Sequence, residues 1–123
     1  MVHGKAVQDE LRGPARELRR MIPEVLAGFS ALHDAALADG ALDTRTKELI
    51  ALALAVSQEC DGCIAAHARA AVAHGATLAE AAEAIGVVIL MNGGPATVYG
   101  PRAFDAVQEF HADRVARSMS QAQ

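Results

Sequence analysis

Tryptophan is absent from this sequence of 123 residues, tyrosine occurs once and phenylalanine three times, so aromatic side chains make up only 3% of it. So few rings argue against an aromatic-rich β-sandwich core and against a stacking platform for single-stranded nucleic acid. Positive charge is also scarce. The 11 Lys and Arg against 15 Asp and Glu leave a net charge of −4, without the basic footprint of a nucleic-acid-binding chain. The one dense basic stretch, Arg12 to Arg20, is interrupted by Glu17 and reads as a solvated helix face. No run approaches the roughly 18 uncharged residues of a membrane span. The first residues lead into polar sequence and not into the apolar stretch of a secretory leader, so a cytoplasmic location is expected. Only two cysteines occur, and in that compartment they point to catalysis or metal binding before a structural staple.

What the chain has in abundance is alanine, at 28 positions. Alanine favours helix above every other residue, so an all-α protein is expected: one compact antiparallel domain over 1–123, built from five to six short helices. Punctuation divides it. A first helix over about 5–20 contains Gly13-Pro14, a pair expected to end or kink it. A second starts at Pro23, carries Val25, Leu26, Phe29, Leu32, Ala36 and Leu37 at helical spacing, and closes at Gly40. Asp43 or Thr44 caps a third helix running to about Ser57, apolar on every side over 49–56, which should lie centrally or against another subunit. A fourth starts near Cys60–Cys63 and stops at Gly75. Thr77 and Glu80 form a capping box for a fifth, to about Met91. The sixth spans roughly 96–117, with a frayed tail beyond. The second and third helices hold more apolar surface than a monomer needs, so part of it is expected to meet other copies of the chain.

The chemistry-bearing residues are Glu48, Cys60, Cys63 and His67. Cys60-Asp61-Gly62-Cys63 at a helix start brings two sulfurs within bridging reach, so the pair can cycle between dithiol and disulfide. A helix N-terminus favours negative charge and thereby the reactive thiolate. His67 lies four residues after Cys63 on the same face and can manage the thiol proton. The turn after Ser57 folds the third and fourth helices together, so Glu48 can approach His67 or Cys63 and relay protons. The same donors suit a divalent metal such as zinc, which stands as an alternative, although three of them crowd into eight residues. His33 and His111 read as surface or interface residues, His74 as a helix C-terminal residue, and Tyr99 as core.

Lys47-Glu48-Leu49-Ile50-Ala51-Leu52-Ala53, the Cys60-x-x-Cys63-x-x-x-His67 unit and Gly75-Ala76-Thr77 with Glu80 together resemble the carboxymuconolactone decarboxylase superfamily, in particular its alkylhydroperoxidase D-like branch, over roughly 23–95. The resemblance implies packed antiparallel helices assembled as trimers or hexamers. It implies thiol-dependent peroxidase or disulfide oxidoreductase chemistry that needs no cofactor and no metal. On that resemblance Cys63 reacts with a small hydroperoxide or disulfide substrate, Cys60 resolves, and Glu48 and His67 relay protons. A dithiol, lipoyl or on a thioredoxin-like protein, would restore the pair. The sequence departs from the branch at Gly62, where its peroxidases carry a histidine. The alternative chemistry on the same fold is cofactor-free decarboxylation or isomerisation of a small lactone acid, with His67 and Glu48 as acid and base.

Overall fold

In a computed structural model that describes residues 1–122, the chain forms six helices: α1 (Lys5–Met21), α2 (Pro23–Leu37), α3 (Thr44–Ser57), α4 (Asp61–Ala73), α5 (Leu78–Asn92) and α6 (Ala96–Gln121). The described residues contain no strand. The core lies among α3, α4, α5 and α6, where Leu52, Ile64, Ala68, Ala103 and Val107 are fully buried. Alanine at many helix contacts lets the backbones approach closely. At Gly100 a methyl group would come within 2.8 Å of Ile85, so only glycine fits the α5–α6 contact without a shift.

The helix starts follow local chemistry. The Asp43 carboxylate accepts the Thr46 amide at 2.8 Å and caps α3. The Thr46 side chain, and with it that amide bond, holds Asp43 below the usual carboxylate range. Thr77 and Glu80 exchange both bonds of the capping box, at 3.1 and 2.9 Å. The Thr77 amide likewise keeps the Glu80 carboxyl low. At α4 the cap is a sulfur: Cys60 Sγ accepts the Cys63 amide at 3.2 Å. The turn before it places Glu59 at a φ of 55°, a left-handed conformation that few non-glycine residues adopt.

Two expectations change. Pro14 does not end α1, which continues to Met21. No residue of α1 is buried, and Glu10, whose carbonyl loses its amide partner at Pro14, is exposed. The break falls instead at Ile22, the residue before Pro23, where the proline ring disfavours helical backbone. The last helix also extends beyond 117, to Gln121, because its exposed final turns continue the hydrogen-bond ladder of a long helix.

α1 and α2 bury no residue of their own. Polar ties hold α1 and the chain start to the rest of the molecule: Lys5 to Asp113 at 2.5 Å, His3 to Asp105 at 2.9 Å, and Arg69 to Gln8 at 2.8 Å. The stripe Val25, Phe29 and Leu32 on α2 is 63–65% exposed. The third helix is central on one face, with Leu52 and Val56 buried, while Ile50 and Leu54 on another face are 47% and 55% exposed. No helix of the described residues is long and apolar enough to cross a membrane.

Candidate active site

The turn between α3 and α4 brings the four sequence-selected residues to one region. Cys60 precedes α4 and Cys63 lies in its first turn, and the two are joined as a disulfide with their Cα atoms 5.2 Å apart. Both cysteines are half-buried, and Cys63 packs against the core cluster. His67 follows one helical turn later on the Cys63 side of α4.

Glu48 projects from the first turns of α3 and is 1% exposed. A carboxylate so deep in a small protein needs a partner. It finds one in His67, whose Nδ1 lies 3.2 Å from Glu48 Oε2. With a carboxylate as acceptor, the Nδ1 carries the proton, and Nε2 keeps a lone pair that can take a proton from a thiol. The other carboxylate oxygen, Oε1, is also buried but has no protein partner.

Other residues frame the site. Leu11 of α1 lies 3.4 Å from the place a Gly62 side chain would begin, so α1 occupies the space above the glycine. Asp61, between the cysteines, pairs with Arg102 of α6 at 3.5 Å. The Arg102 guanidinium also stacks 4.6 Å above the Tyr99 ring, which is half-buried against the core as expected. His74 ends α4 and bonds the Ala70 carbonyl at 2.8 Å through Nδ1. His33 reaches the surface, and its ring also stacks on that of His67, with centroids 6.4 Å apart. Sequence reasoning missed His33 and Arg102 as neighbours of the site. Each meets it only through the packing of distant helices, and no local spacing signals that. No three His, Cys, Asp or Glu side chains among the described residues converge as a metal-binding group.

Comparison with known proteins points in one direction. The profile described as the carboxymuconolactone decarboxylase family matches residues 23–109. An uncharacterized protein of Cupriavidus necator is 41% identical over 88 residues, covering 69% of this chain and 78% of its own. An uncharacterized Haemophilus influenzae protein is 46% identical over 90 residues, 73% of this chain and 80% of that one. The crystal structure of a carboxymuconolactone decarboxylase family protein from Legionella pneumophila superposes with a TM-score of 0.84 at 41% identity, covering 87% of this chain and 96% of that one.

Proposed function

The chain belongs to the carboxymuconolactone decarboxylase family, and on that premise we propose that it is a thiol-dependent peroxidase and disulfide oxidoreductase of the alkylhydroperoxidase D-like kind. The observation that carries this reading is the Cys60–Cys63 disulfide beside a buried Glu48–His67 pair. A decarboxylase needs no bridged cysteines, whereas a redox couple requires two sulfurs that can join within one protein.

In the reduced protein His67 Nε2 takes the Cys63 proton, and Glu48 stabilises the imidazolium through Nδ1. The Cys63 thiolate attacks the distal oxygen of a hydroperoxide. The O–O bond breaks, and the alkoxide leaves as the alcohol with the proton from His67. Cys63 is then a sulfenic acid. Cys60 resolves it: its thiolate attacks the Cys63 sulfur, the S–O bond breaks, and hydroxide leaves as water after gaining a proton. The cysteines lose two electrons and the peroxide gains them. A dithiol reductant, lipoyl or thioredoxin-like, returns the pair to thiols by exchange and becomes a disulfide itself. Such cycling suits a thiol-reducing compartment such as the cytoplasm.

The same reading includes a homo-oligomer, trimer or hexamer. Ile50, Leu54, Val87 and Met91 line an apolar groove of about 350 Å³ between α3 and α5, and Leu90 beside it is 81% exposed. Apolar surface of this extent on a small domain marks an interface.

The test is the thiol state. Reduced protein mixed with an equimolar organic hydroperoxide should lose two hydrogens by intact mass and both free thiols, with the alcohol as product. Cys63→Ser should consume no peroxide. Thiols that persist in the native protein, or turnover that persists in Cys63→Ser, would overturn the proposal.

A further inference from the structure

Cys60, the sulfur that caps α4, has an acid on either side of it in the chain, Glu59 and Asp61. As a thiolate it would be the third negative charge in three consecutive residues, and like charges so close disfavour it. Covalent geometry keeps the Asp61 carboxylate within about 9 Å of the Cys60 sulfur, inside a Debye length at ordinary salt. At that range one unit charge near a protein surface moves an ionisation equilibrium by about two- to fivefold. The fold supplies a counter-charge from a distant part of the chain. Arg102 of α6 lies 41 residues after Asp61, and one of its guanidinium nitrogens stands 3.5 Å from each Asp61 oxygen. Tyr99, one turn earlier on α6, steadies the guanidinium from below, with its ring centroid 4.6 Å away. Both members of the ion pair are partly exposed, at 36% and 47%, so the pair contributes little to stability. Its effect falls instead on the local field at the redox turn.

We propose that Arg102 is a positioning residue of the redox site: by neutralising Asp61 it lets Cys60 persist as a thiolate, and so it sets the balance between the dithiol and disulfide forms. The inference rests on the thiol-redox reading, since it concerns the same pair. When a dithiol such as dithiothreitol reduces the bridge, it gives up two electrons and two protons and becomes a cyclic disulfide. The Cys60–Cys63 bond breaks, one proton stays with Cys63 and His67, Cys60 remains the thiolate that accepts the Cys63 amide, and the second proton goes to solvent. Whatever stabilises that thiolate draws the equilibrium toward the dithiol. With Arg102 removed, Asp61 faces the thiolate uncompensated and the disulfide gains. With Asp61 removed, Arg102 acts on the thiolate alone and the dithiol gains. Glu59, Glu48 and His67 are the other ionisable groups around the pair, and neither substitution alters them.

The test is the redox equilibrium of the full chain in dithiothreitol buffers at neutral pH, read by thiol count with no peroxide present. Arg102→Gln should lower the equilibrium constant for reduction about threefold. Asp61→Asn should raise it by about the same factor, and the double variant should return it to near the native value. In about 1 M salt, where the Debye length is about 3 Å, the shifts of the single variants should collapse. A merely structural role would give shifts of one sign, indifferent to salt. A constant unmoved by Arg102→Gln, or a shift that Asp61→Asn does not relieve or that survives high salt, would overturn the proposal. Should Arg102→Gln fail to fold, Asp61→Asn decides alone, and an unchanged or lowered constant there overturns it. A protein inert to hydroperoxide but showing these shifts would retain the role of Arg102 and lose the peroxidase reading. Peroxide turnover without the shifts would do the opposite.

Discussion

Glu48→Leu should stabilise the fold while abolishing its redox turnover. The carboxylate is 1% exposed, one oxygen meets only His67, and the other has no protein partner. Replacing both members of a buried charged pair by apolar side chains of similar volume is neutral or stabilising by about 1–4 kcal/mol, and Glu48→Leu removes the one member that is fully buried. Against this gain, the His67 Nδ1–H loses its acceptor, at about 1 kcal/mol. That loss stays small because the His67 side chain is 23% exposed and its ring can turn toward water. The net expectation is about 1–2 kcal/mol of added stability, which for a domain of this size raises the midpoint by roughly 5 °C. Thermal and urea unfolding, followed by circular dichroism at matched protein concentration, read this directly. Matched concentration matters because an oligomer's midpoint depends on it. Peroxide-driven thiol loss, measured on the same sample, should vanish. A destabilisation of about 3 kcal/mol or more would refute the reasoning, since it would make Glu48 a structural anchor.

Other outcomes follow from single contacts. Gly100→Ala gains about 1 kcal/mol of helix propensity but forces a methyl onto Ile85, a β-branched side chain with one favoured rotamer, and overpacking costs about 1–3 kcal/mol. A net loss is therefore expected in urea unfolding. Gly86→Ala, where the new methyl meets nothing within 4 Å, should gain about 0.5–1 kcal/mol. Leu90→Glu should lower the oligomeric mass in sedimentation at unchanged helicity; an unaltered mass would remove the α5 face from the assembly. Asp43 and Glu80 have carboxyls held low by cap bonds in the folded chain. Their contribution is present above the ordinary carboxylate value of about 4 and lost as pH falls through the depressed folded values. Melting temperature should thus fall on acidification below about pH 4, and Asp43→Asn with Glu80→Gln should flatten that decline.

Most of this architecture is legible residue by residue. Helix starts are local events, so Asp43, Thr77 and Glu80 announce α3 and α5 before any packing is known. Glu48 and His67 lie 19 apart in sequence and still meet, because a single short turn joins their helices. The limits are equally physical. Pro14 misleads because an exposed carbonyl that loses its amide can turn to water, and exposure is not written in a local pattern. The extra turn of α6 has no signal, since its final residues neither cap nor break. His33 escapes notice because α2 reaches α4 only after the chain has folded back through α3. The exposed stripe of α2 has the helical spacing expected of a core face, and periodicity alone cannot say which molecule will cover it.

The sulfur cap of α4 ties electron count to helix order. In the bridged form the Cys63 amide points at a disulfide sulfur, a weak acceptor. Reduction would put a thiolate in the same place, and a charged acceptor at a helix start is bonded more strongly. Gaining electrons should therefore tighten the first turn of α4, the turn that carries the other cysteine. The amide proton of Cys63 becomes a built-in gauge: its exchange with deuterium should slow on reduction, reporting the state of the couple without any substrate at all.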